Sequence, residues 1–130
     1  MRSQVMAISF VIDRFRQRIL THADGLVTFA ELIRHLEEEE RARGLDLPEL
    51  IDARGATTDV TSEEIRRLVK RTADLAQMTP LGFTAIVTTD DVVYGMARMY
   101  SILAERVGAV VAVFRDIDSA ERWLARAGPQ

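Results

Sequence analysis

The chain has 130 residues, 48% hydrophobic and 28% charged, values that suit one globular domain with its own core. A net charge of -3 and a pI near 5.4 give no basic footprint for nucleic acid. The absence of cysteine excludes disulfides, thiolate nucleophiles and zinc–thiolate sites.

The apolar runs are shorter than the roughly 20 residues a membrane helix needs, and Met1-Arg2-Ser3-Gln4 leads into no signal-peptide core. A cytoplasmic protein without membrane insertion is expected. Val5 to Ile12 is β-branched and aromatic and reads as a strand. Asp13-Arg14 is a turn, and Phe15 to Ala23 a second strand antiparallel to the first, broken by Asp24-Gly25. Thr28-Phe29-Ala30-Glu31 reads as a capping box with Val27 and Leu32 as its staple. The helix it opens buries Phe29, Leu32, Ile33 and Leu36 and ends near Gly44. The run Glu37-Glu38-Glu39-Glu40 reads as a solvated outer face.

Leu47 to Ala53 is the third strand. It delivers Asp52 and Arg54 to its carboxyl end, turns on Gly55, and passes into a mobile loop from Ala56 to Val60. Thr61-Ser62-Glu63-Glu64 is a second capping box, with Ile65, Leu68, Val69, Thr72, Leu75 and Ala76 on the inner face of its helix. Phe83 to Thr88 is a fourth strand. Thr89-Asp90-Asp91 starts a third helix running to about Val107. Ala109 to Phe114 is a fifth strand, and Asp118-Ser119-Ala120-Glu121 opens a last helix before a frayed tail at 128–130. The order ββαβαβαβα predicts a single α/β domain with a mainly parallel five-stranded sheet and an antiparallel N-terminal strand. Ile51, Ile86, Val111 and Val113 are its expected deeply buried strand residues.

Four stretches carry a resemblance: Ile51-Asp52-Ala53-Arg54-Gly55, Asp91 to Met99, Val113 to Asp116, and Ala120 to Leu124. With the element order, they resemble small bacterial STAS-like proteins, similar in fold to the anti-sigma-factor antagonists. The resemblance implies a regulatory, protein-binding domain spanning residues 1–130. It also implies a phospho-acceptor at the start of the helix after the third strand. Matched on Asp52, the family's Asp-Ser-Ser motif falls on Val60-Thr61-Ser62, so Thr61 and Ser62 are the acceptor candidates. Val60 stands where that motif has Asp.

From the residues themselves, Thr61 and Ser62 sit where helix N–H groups favour an anion. Plain capping of Thr61 by Glu64 is the competing reading. Asp52, Arg54, Thr57, Thr58, Thr89, Asp90, Tyr94 and Arg115 fall at or beyond strand ends or in the first turn of the third helix, where side chains can line one crevice for a ligand or partner. His22 and His35 read as unrelated surface groups, so no metal is expected, and no cofactor. No nucleophile–base order, Walker loop or dinucleotide fingerprint is present. On the third helix, at about 100° per residue, Val93, Met96, Ala97, Tyr100, Leu103, Ala104 and Val107 fill one arc of about 120°. Val92, Gly95, Met99 and Ile102 lie outside it, which suggests either internal packing or a homodimer contact through Gly95, Met99 and Ile102.

The expectation is therefore a non-enzymatic regulatory or protein-interaction module, with itself and another protein as partners. The alternative is a carrier or sensor of a small anionic or apolar ligand. An enzyme using Asp52, Asp90 and Tyr94 in acid–base roles is the third reading.

Overall fold

A computed structural model describes residues 6–127, which form β1 (Ile8–Asp13), β2 (Arg18–Val27), α1 (Phe29–Arg41), β3 (Glu49–Thr58), α2 (Ser62–Met78), β4 (Thr84–Val87), α3 (Asp91–Glu105), β5 (Val111–Phe114) and α4 (Ile117–Ala127). The expected start of the first strand at Val5 and the tail at 128–130 lie outside the described residues. The order ββαβαβαβα is the one the periodicity predicts. The sheet runs β1-β2-β3-β4-β5, with β1 antiparallel to β2 and every other pair parallel.

This strand order fixes the layering. Each parallel crossover steps to the next strand in the same direction. A right-handed connection then places every crossover helix on one face. So α1, α2 and α3 share a face, and α4, which follows the last strand, folds back over the other. Strand alternation sorts the side chains accordingly. Ile8, Ala23, Val27, Ala53 and Ala56 face inward beneath α1, with Leu32 packed on them. Leu50, Ala85 and Val87 face the other way, against Ala120 and Leu124 of α4. Trp123 closes that second layer, its ring 6.0 Å from Phe83 and 5.8 Å from Phe114.

Several local expectations are corrected. Phe15 lies not in a strand but in the Arg14–Gln17 turn. There Asp13 accepts the Arg16 N–H at 3.0 Å and Gln17 adopts a left-handed φ of 54°. Asp24-Gly25 does not end β2. The ladder continues through a bulge, with His22 opposite Asp52 and then Asp24 opposite Gly55. For the same reason β3 does not stop at Ala53. Ala56, Thr57 and Thr58 pair with Gly25, Leu26 and Val27, so the expected loop is largely strand.

On α1 the fully buried residues are His35 and Glu39, while Phe29, Leu32, Ile33 and Leu36 are only half-buried. Thr28 caps the helix, accepting the Glu31 N–H, but Glu31 turns its carboxylate to Arg34 instead of closing a box. The cap of α4 is Asp116, which accepts the Ser119 N–H at 2.8 Å, two residues before the expected Asp118. Ile51, Ile86, Val111 and Val113 are half-buried, not deeply buried. The first three line a partly open cavity and so lack neighbours on one side.

Gly82 holds a tight crossing. A Cβ there would sit 2.0 Å from the Leu47 carbonyl oxygen and 2.3 Å from its carbon. Only glycine lets the backbone come so close. The contact anchors Leu47-Pro48 immediately before Glu49, the first residue of β3. No helix among the described residues is long and apolar enough to cross a membrane.

Candidate functional site

Beneath the three helices lies a cavity of about 190 Å³, walled by every strand and by inward residues of α1, α2 and α3. Its walls are mostly aliphatic, among them Ile51, Ala53, Ile86, Leu68, Met96 and Ala97. The expected inner arc of α3 supplies Val93, Met96, Ala97 and Tyr100 to it. Apolar cavities of about 150 Å³ accept molecules the size of benzene.

The ionisable groups of this wall, Tyr100 apart, meet in one place, and Thr21, Thr58, Thr72 and Thr84 add hydroxyls around it. His35 and Glu39 are one helical turn apart on α1 and so project from the same face. Glu49 opens β3, on the same side of the strand as Ile51 and Ala53. His35 Nε2 lies 2.9 Å from Glu49 Oε2 and 3.0 Å from Glu39 Oε2. All three residues are buried: His35 6% exposed, Glu39 3% and Glu49 6%.

The Thr21 hydroxyl on β2 donates to Glu49 Oε2. With that and the His35 ring, Glu49 has two donors. A single Nε2–H cannot also serve Glu39, whose Oε2 has no hydrogen-bond partner among the described residues; nor has His35 Nδ1. Phe10 packs edge-on against the His35 ring, 5.4 Å between centroids. Nearby, Thr72 donates to the Leu68 carbonyl, so the hydrogen bond it shares with Tyr100, at 2.7 Å, uses the Tyr100 hydroxyl as donor.

The electrostatics follow from burial and from this uneven sharing of protons. Burial works against a charged His35, but the carboxyl groups of Glu39 and Glu49 beside its ring outweigh it and push the imidazole up to about 10. Glu39 is pushed up by burial first and by the Glu49 charge second, so it tends to hold a proton. Glu49 is desolvated too, but the hydrogen bond and charge of His35 win and keep it ionised. Burial pushes the Tyr100 phenol up to about 12.

Of the residues singled out from the sequence as a crevice, Thr58 lines this cavity and the others sit elsewhere. Asp52 and Arg54 pair with each other, Nε to Oδ1 and Nη2 to Oδ2 both at 2.9 Å, and the Arg54 hydrogen bond holds Asp52 below the usual carboxylate range. Thr89 reaches the Arg54 carbonyl at 3.5 Å. Asp90 caps α3, accepting the N–H groups of Val92 and Val93. Arg115 lies 4.0 Å over the Tyr94 ring and pairs with Asp91 at 3.0 Å. Thr57 and Thr58 stand farther along β3, opposite Leu26 and Val27, where Thr58 donates to the Val27 carbonyl.

The strand order never reverses, so this edge has no switch point of the kind that opens a crevice in doubly wound sheets. Thr61 accepts the Glu64 N–H while its own N–H goes to the Glu64 carboxylate, and Thr61 and Ser62 are both exposed. Val92 and Ile102 are 57% and 49% exposed; Gly95 is exposed and Met99 half-buried.

Sequence reasoning missed the buried cluster. His22 is on the surface, but His35 is not, and Glu39 is the one member of the glutamate run that is buried. The signal was the phase of α1: at about 100° per residue, Glu39 shares a face with Leu32 and Leu36.

No family model matches the chain, and no curated protein matches it. Among solved structures it is similar to an uncharacterized DUF3478-family protein with a SpoIIAA-like fold from Shewanella loihica PV-4. The match has 17% identity and a TM-score of 0.59, over 95% of this chain and 98% of that one. The fold is therefore SpoIIAA-like, that is, STAS-like.

Proposed function

We propose that the chain is a non-enzymatic regulatory module of STAS-like fold that binds a small, largely apolar ligand inside the domain. The observation that carries this reading is the cavity itself: about 190 Å³, aliphatic on most sides, with its carboxyl and imidazole groups gathered at His35, Glu39 and Glu49. A ligand pocket has that composition, whereas a core has no use for the space. The crevice at the strand ends supports the reading less, because both of its arginines are already paired.

Benzene and indole serve as probes. Titrated into isotopically labelled protein, they should shift the methyl resonances of Ala53, Ala56 and Ala97. Ala97→Leu, which fills the space, should weaken binding severalfold while the protein stays folded. Absence of methyl shifts at saturating probe would refute internal binding.

A second reading rests on the surface of α3, where Val92, Gly95, Met99 and Ile102 form an apolar stripe that other elements leave largely uncovered. It supports a homodimer or protein-partner contact, with Thr61 or Ser62 as the point at which phosphorylation would alter the adjoining surface. Light scattering tests it: Ile102→Glu should turn a dimer into a folded monomer. A wild-type monomer at high concentration would rule the dimer out.

A further inference from the structure

We infer that His35, Glu39 and Glu49 form a binding site for one divalent transition-metal ion, open on the cavity side. Two of the three donor separations are already those a metal would set. The ligand atoms lie within 4.8 Å of one another, and the imidazole nitrogen is 2.9 and 3.0 Å from the two carboxylate oxygens. Donors bound at about 2.0–2.2 Å to one ion sit roughly 3 Å apart. All three come from regular elements, two from one face of α1 and one from the start of β3, so the spacing is built into the fold. The Thr21 hydroxyl fixes the Glu49 carboxylate, as the outer partners of metal ligands do.

The independent observation is Glu39 Oε2. It is buried, it lines the cavity, and it has no hydrogen-bond partner among the described residues. One ring N–H has to be divided between two carboxylates, and it can serve only one. A cation accepts lone pairs from both and from the unprotonated ring as well. The charge also matches, since two carboxylates and a neutral imidazole carry -2, which a divalent ion cancels inside an aliphatic wall. One imidazole with two carboxylates suits Zn²⁺, Co²⁺, Fe²⁺ or Mn²⁺. It does not suit Ca²⁺ or Mg²⁺, which favour all-oxygen sets. The inference does not depend on what else enters the cavity.

The test uses the full chain after chelator treatment. Co²⁺ alone is titrated and followed by its visible ligand-field bands, and Zn²⁺ is then added as competitor. One equivalent of Co²⁺ should bind with bands that Zn²⁺ abolishes, and the thermal midpoint should rise. Glu39→Gln should keep the circular dichroism and cooperative unfolding of the wild type. It should also weaken binding at least about 100-fold, because losing even an orienting partner costs 10–100-fold. His35→Gln should do the same, and Glu37→Gln, in the same acidic run, should bind like wild type. Absence of bands in the wild type, or unchanged bands in folded Glu39→Gln, would overturn the site and leave a proton-sharing cluster in its place.

Discussion

Replacing Glu49 by Gln and Glu39 by Gln, one at a time, should have opposite effects, although both carboxylates stand about 3 Å from the same nitrogen. Glu49 receives the Thr21 hydroxyl and the His35 N–H. A hydrogen bond to a charged group contributes about 1.5–3 kcal/mol. Glu49→Gln removes the charge from two such bonds, and Glu39, 3.0 Å from His35 Nε2, recovers only part of the loss. The expected cost is about 2–3 kcal/mol. Glu39→Gln gives up no hydrogen bond. It replaces a buried carboxyl group that burial and the Glu49 charge already push towards its protonated form with a neutral amide, which can donate to Glu49. The change should lie within about 1 kcal/mol of wild type, on the stabilising side. Urea unfolding near neutral pH with chelator present measures both, and unchanged m-values are needed for the comparison. At roughly 3–5 °C per kcal/mol for a chain of this size, the thermal midpoints of the two variants should separate by about 10 °C. Equal losses, or a larger loss for Glu39→Gln, would refute the assignment of donors made here.

Gly82→Ala should cost more than about 3 kcal/mol, because the new Cβ meets backbone at Leu47 and not a side chain that can swing away; a loss below about 1 kcal/mol in urea would show that the Leu47-Pro48 segment yields easily. Thr61→Ala should cost about 1 kcal/mol by opening the capping box, and Thr61→Ser only a few tenths; a silent Thr61→Ala would remove the cap from the account of α2. The Arg18 hydrogen bond holds Glu121 below its ordinary value of 4.5. A depressed carboxylate stabilises the fold above its unfolded pKa, and that contribution is lost as pH falls through the folded one. The advantage of wild type over Glu121→Gln should therefore shrink as acid is added below about pH 4.5, and an advantage that grew instead would contradict the pairing.

The architecture was legible because the hydrophobic period switches from 2 to 3.6 and back at each element, and chirality then leaves few ways to lay consecutive crossovers on a sheet. The boundaries were legible only where a local signal set them. Thr61 and Glu64 bond each other as their spacing implies. Asp24-Gly25 and Gly55 failed as stops because local turn propensity lost to pairing between β2 and β3, which a bulge accommodates without breaking the ladder. The supposed mobile loop from Ala56 was a consequence of the same error.

The buried cluster was hidden by its composition, not by its spacing. Four consecutive glutamates look like a solvated face, yet consecutive helical residues point about 100° apart, so a run of four on an amphipathic helix must turn at least one inward. The phase set by Leu32 and Leu36 selects Glu39, and it places His35 on the same side one turn earlier. Strand parity selects Glu49 in the same manner, because it alternates with Leu50 and shares its face with Ile51 and Ala53. Each of those steps uses the sequence alone. What the sequence lacked was the third dimension. A right-handed β2–α1–β3 crossover lays α1 across the two strands that carry Thr21 and Glu49, and only then does the inward residue of each element meet the others. Charge patterning read one element at a time assigns Glu39 and Glu49 to solvent; read with the crossover, it puts them on either side of one imidazole.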